Sequence, residues 1–239
     1  MTTIVLIPGA GGDSYYWHLV VPRLAERGWN VIAPDLPADD DSAGIPEYAD
    51  AVMEAVGDRR DIVVVAQSLG AFTAVALAER MPVSLIVFVA AMIPSPGETS
   101  GEWWEATDQA AAKRELDRRE GRDPDAPFDV MATFLHDVPA EIVDRLFERG
   151  DRPQSGRPFE SANTATAWRA IPLGVIAGSR DRFFPIEFMR RLSRERAGVE
   201  PVAIDAGHLL ALSKPEELAG AIAAFVSRPG SVPLMRRQP

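Results

Sequence analysis

The chain has 239 residues, 46% of them hydrophobic, enough for one globular domain of ordinary size with room for an inserted subdomain. A formal net charge of -10 argues against nucleic acid or an anionic membrane as a partner, because phosphate surfaces need a basic face. Cysteine is absent, which removes disulfides, thiolate zinc sites and a cysteine nucleophile together.

No apolar run approaches the roughly 18–20 residues of a membrane span. The opening M-T-T-I-V-L-I-P-G lacks a basic segment ahead of its short apolar stretch, so no signal peptide is read and a cytoplasmic location is expected. His18, His136 and His208 lie far apart in sequence, so a histidine-rich metal site is not expected.

In chain order, Thr3 to Ile7 is a buried-type strand followed by the loop P-G-A-G-G-D-S. Tyr16 to Arg27 reads as a helix that Gly28 is placed to end. Val31 to Ala33 is the next strand, the triple-Asp loop 39–41 a solvated turn, and Ile45 to Val56 a helix. Ile62 to Val65 is a β-branched run, the mark of a strand buried on both faces, and Leu69 to Glu79 is an Ala-rich helix. Ser68 stands at the reversal between them. It is either a helix cap or the nucleophile of a strand–Ser–helix elbow.

Val83 to Val89 is a further strand, after which the rhythm breaks. Residues 94–170 hold seven prolines between short helical patterns (106–119 and 140–149) and no strand-like run. A structureless loop of that length inside a compact domain is implausible, so an inserted helical cap is expected. Strand Leu173 to Ala177, helix Pro185 to Arg196, strand Pro201 to Ile204 and helix Pro215 to Val226 complete the alternation. The expected organisation is a core of residues 1–93 and 171–228, a cap of 94–170 and a mobile tail of 229–239. Strands alternating with helices imply a mostly parallel sheet of about six strands flanked by helices, an α/β fold.

Ligands of such sheets sit at the carboxyl ends of the strands. The sequence places there Pro8 to Gly12, Ser68, the run G-S-R-D ending at Asp181, and the run D-A-G-H ending at His208. A serine needs an adjacent base, the base needs a carboxylate to fix its tautomer, and the oxyanion needs two N–H donors. His208 and Asp181 fill the first two roles, with Asp205 a rival acid that sits only three residues before His208. One donor is the Leu69 amide, and the other an amide of the glycine loop. That loop lacks the G-x-G-x-x-G spacing and the P-loop lysine, so phosphate binding is weakly supported.

With these residues in place, the chain resembles the α/β-hydrolase superfamily over nearly its whole length. It is most similar to the small plant-type methylesterase and hydroxynitrile lyase branch and its bacterial relatives. The matching stretches are I-V-L-I-P-G-A-G-G-D-S-Y-Y-W, A-Q-S-L-G-A, V-F-V-A-A-M-I-P-S-P-G, G-S-R-D-R-F-F-P and G-H-L-L-A-L-S-K-P-E-E-L-A. The resemblance implies an oxyanion amide at Ala10. Pro8 and Ala66 depart from the family's usual His and Gly, and Leu209 stands where the branch's lyases carry Lys.

The resulting expectation is a serine hydrolase acting on a small to medium carboxylic ester with an apolar part. Gly11, Trp103, Trp104, His136 and Trp168 are candidate substrate contacts, with the cap's own core as the alternative for its aromatics. A thioesterase, a lactonase, a carbon–carbon lyase and a non-catalytic binding protein are the rival readings. No metal or organic cofactor is required. The oligomeric state is not readable, and a homodimer is left open.

Overall fold

The computed structural model describes residues 1–150 and 152–227. The expected tail of 229–239 lies outside the described residues. Six strands form one all-parallel sheet: β1 Thr3–Ile7, β2 Asn30–Ile32, β3 Ile62–Gln67, β4 Leu85–Val89, β5 Leu173–Gly178 and β6 Val202–Ile204. Their spatial order is β2-β1-β3-β4-β5-β6, with β3 pairing Val63 to Leu85 on one side and Ile62 to Thr3 on the other.

Helices cover both faces: α1 Val20–Glu26, α2 Ile45–Val56 and α3 Gly70–Ala78 in the first half, then α4 Trp103–Ala106, α5 Gln109–Arg119, α6 Val130–Thr133, α7 Ala140–Arg149 and α8 Arg157–Glu160 between β4 and β5. The chain ends with α9 Ile186–Ala197, α10 Leu210–Ser213 and α11 Pro215–Val226. No described helix is long and apolar enough to cross a membrane.

The two-residue period of a strand divides the core into two halves. Val5, Ile7, Val64, Ala66, Ile86 and Phe88 point to one face, where residues of α2, α3 and α9 pack on them. Ile4, Leu6, Val63, Val65, Val87 and Val89 point to the other, under residues of α1 and α11. Both faces are buried, which is why these strands read as unbroken apolar runs rather than alternating ones.

Three expected elements differ from those observed. The helix expected at 16–27 divides into a 3₁₀ turn, Ser14–Trp17, and α1. Pro22 lacks an N–H and so can sit only in a first helical turn, which it does when the helix restarts at Val20. The helix expected at 106–119 breaks at Asp108, whose φ is 55°. The strand expected from Val83 begins at Leu85, because Ser84 instead turns its N–H and hydroxyl to the Ile62 carbonyl at 2.8 Å each.

The β4–β5 insertion is helical, with one isolated antiparallel bridge among the described residues, between Thr99 and Ala162. It is fastened to the sheet domain in several places. Arg196 of α9 donates to Glu98 at 2.5 and 2.9 Å and to the Ile93 carbonyl at 2.9 Å. Trp103 and Trp168 are fully buried in the main core rather than in a separate one. The insertion's own small cluster is aliphatic, formed by Leu135, Val138, Ile142 and Val143 with Leu212 of α10.

Candidate active site

Ser68 follows β3 directly and adopts φ 49°, the left-handed region that non-glycine residues seldom occupy. Such a conformation costs on the order of 1–3 kcal/mol and persists only where its surroundings impose it. Here the end of β4 and the segment after it do so: Ser68 N–H donates to the Val89 carbonyl at 3.2 Å, and Met92 N–H donates to the Ser68 carbonyl at 3.0 Å. The helix α3 then starts immediately, with its N-terminus beside the serine.

The glycine loop packs onto this elbow at two points. A Cβ on Gly70 would run into the Pro8 carbonyl and Ile7, and one on Gly9 would run into the Gln67 side chain and Ser68. The Leu69 and Ala10 amides have no hydrogen-bond partner among the described residues, and Ala10 is exposed. Gly11 differs: its φ is 84°, and its N–H donates to Gln154 Oε1 at 2.9 Å. Gln154 also donates to the Tyr48 hydroxyl at 3.0 Å, so a residue of the insertion braces the loop.

At the far end of the sheet, Gly178 lets two loops approach each other. A Cβ there would collide with the Ala206 and Gly207 carbonyls. The approach brings Asp181 and His208 together, with His208 Nδ1 2.8 Å from Asp181 Oδ2. The other carboxylate oxygen, Oδ1, accepts the Phe183 and Phe184 N–H groups at 2.7 and 2.9 Å. Both side chains are almost fully buried, at 1% and 3% exposure. Asp205, the rival acid, instead pairs with Arg180 at 2.8 Å on the surface.

The Nε2 side of His208 faces Gln67, whose side-chain nitrogen lies 3.2 Å away. Among the described residues no hydrogen bond joins the Ser68 hydroxyl to His208. An aromatic wall surrounds the ring: Phe134, Phe183 and Phe184 have centroids 5.1, 5.4 and 4.9 Å from it.

The remaining expected contacts fall into separate places. Trp104 is half-buried against Phe183 and Phe184. Trp103 donates its indole N–H to the Ile93 carbonyl at 3.0 Å and is fully enclosed, as is Trp168 against Phe88, so neither presents surface to a ligand in this structure. His136 sits with Asp137 against the Gly207 backbone, just before His208. Burial, with help from Arg182 and Arg180, holds the His136 pKa below its ordinary value despite the opposing Asp137. A cleft of about 770 Å³ lies elsewhere, between Lys113, Asp117, Arg122, Phe128 and Arg182; neither Ser68 nor His208 lines it.

Gln67 and Gln154 are contacts that the sequence does not single out for the site, whereas Asp137 reads in it, with His136, as a polar pair that either reaches the substrate or lies on the surface. Gln67 precedes the serine and was legible by position; Gln154 and Asp137 lie in the insertion and join the site only through the fold.

A model of the alpha/beta hydrolase family matches residues 4–221. The chain belongs to the α/β hydrolase family. Among curated proteins it is 31% identical to a pyrethroid hydrolase of Sphingobium wenxiniae, over 96% of this chain and 89% of that one. It is 29% identical to a pimeloyl-[acyl-carrier protein] methyl ester esterase of Methylococcus capsulatus, over 94% of each. The crystal structure of polyneuridine aldehyde esterase shares the fold at 20% identity, with a TM-score of 0.78, covering 94% of this chain and 99% of that one.

Proposed function

We propose that this protein is a serine-dependent carboxylic ester hydrolase with Ser68 as nucleophile, His208 as base and Asp181 as the residue that orients the base. The observation that carries the reading is the buried Asp181–His208 pair, 2.8 Å apart, at the same sheet edge as a serine in a strained elbow. Asp181 can only accept, so the Nδ1–H of His208 donates to it and the ring keeps a lone pair at Nε2. That lone pair removes the Ser68 proton as Oγ attacks the ester carbonyl carbon. The oxyanion is met by the Leu69 and Ala10 amides, whose N–H groups have no other partner among the described residues. His208 returns the proton to the departing alcohol, and water then hydrolyses the acyl-enzyme by the same route in reverse.

The substrate is a small-molecule ester with an apolar part. Phe134 and Phe183 beside the base, and Trp104 behind them, support this, as do relatives named for hydrolysing a pyrethroid and a methyl ester. Residues 94–170 act as a cap over Ser68, with Phe134 as their contribution to the pocket wall. Turnover of a panel of p-nitrophenyl and methyl esters tests the reading. Ser68→Ala is expected to abolish it with the fold intact, and retained hydrolysis would overturn the assignment.

A further inference from the structure

Gln67 is the last residue of β3 and is 4% exposed. Its carboxamide fills the gap between the glycine loop and the base. One end lies against Gly9, where any Cβ would meet Oε1, and the other end lies 3.2 Å from His208 Nε2. With the Nδ1 proton directed at Asp181, Nε2 of the neutral ring is an acceptor, so the group opposite it must be the Gln67 NH₂. The Ser68 hydroxyl needs that same lone pair to become a nucleophile.

We propose that Gln67 is a positioning residue that holds His208 Nε2 away from Ser68 in the ligand-free enzyme, and that the base engages the serine only when this amide yields. The inference rests on the assignment of Ser68 as nucleophile. Asp181 fixes the tautomer by itself, so the net effect of the amide is competition rather than support. After proton transfer the ring becomes a donor at Nε2, and a half-turn of the amide presents Oε1 to accept from it. A neutral hydrogen bond of this kind is worth about a two- to ten-fold shift in population.

Gln67→Met keeps the length of the side chain and removes the donor; Gln67→Leu is a second version that also lacks it. The rate of covalent labelling by a fluorophosphonate is measured for the wild type and both variants, with melting temperature as the check on folding. One or both folded variants are expected to label about two- to ten-fold faster than wild type. Gln67→Glu places a carboxylate that accepts from the imidazolium, so its labelling rises only at higher pH than in the wild type. The other titratable and charged groups near the ring and its loop are Asp181, His136, Asp137, Tyr16, Asp205, Arg180 and Arg182, and these stay unchanged throughout. Labelling of folded variants at or below the wild-type rate, with the Gln67→Glu profile unmoved, overturns the proposal alone. Absence of a Ser68 adduct in every protein, wild type included, overturns the nucleophile assignment and the proposal with it.

Discussion

Asp137, in the insertion, accepts the backbone N–H of Gly207 at 2.6 Å, one residue before His208. The two are 70 positions apart in sequence. Asp137 is 3% exposed at its side chain, has Arg180 at 3.9 Å, and among the described residues its other oxygen has no hydrogen-bond partner. The insertion therefore grips the loop that carries His208.

Asp137→Ala leaves a Gly207 N–H without its acceptor, which costs about 1–3 kcal/mol where the group is buried. The expected result is a lower melting temperature together with a fall in kcat, because the His208 ring loses its fixed approach. Asp137→Asn retains a carbonyl acceptor and should recover part of both. Measuring kcat and melting temperature on the two variants checks this; equal losses in both would place the effect in the charge instead.

Gly9→Ala adds one methyl where Gln67 Oε1 and Ser68 already lie. The amide must move, and the loop carrying Ala10 with it. Catalysis is the expected casualty: misplacing one oxyanion donor costs on the order of 100–1,000-fold in kcat. Ester turnover and circular dichroism together check that the fold survives while the rate falls.

Asp117 on α5 accepts from Lys113 at 2.7 Å and from Arg122 at 2.8 Å. Burial works to raise its pKa, but the two cations outweigh burial and hold the carboxyl below the ordinary range. A group whose folded pKa is depressed contributes stability above its unfolded pKa and loses it as pH falls through the folded one. Asp117→Asn should therefore cost about 1–2 kcal/mol near neutral pH, a modest figure because both cations are partly solvated. The difference should shrink as the pH drops below the usual carboxylate range. Melting curves of the two proteins across acid pH check both sign and trend.

The sheet was legible because Ile4 to Ile7, Ile62 to Ala66 and Leu85 to Val89 are apolar without interruption, and only strands buried on both faces tolerate that. The order Ser68, Asp181, His208 was legible for a related reason: each follows a strand, and parallel strands bring their carboxyl ends to one edge. The insertion was legible as an interruption and in its two longer helices, α5 and α7. Its helices α4, α6 and α8 have four residues each, too few for a periodic pattern. Trp103 and Trp168 read equally as pocket or packing, and the choice fell to the core once β4 and α9 were beneath them. The Gln67–His208 contact spans 141 positions, a distance over which no local pattern carries information.

Activation of Ser68 by His208 is tested most directly by exposure to a fluorophosphonate, followed by mass-spectrometric mapping of the modified residue. An adduct is expected on Ser68 in the wild type and is expected to be lost in His208→Ala. No adduct on the folded wild-type protein, or equal labelling of Ser68 without His208, would contradict it.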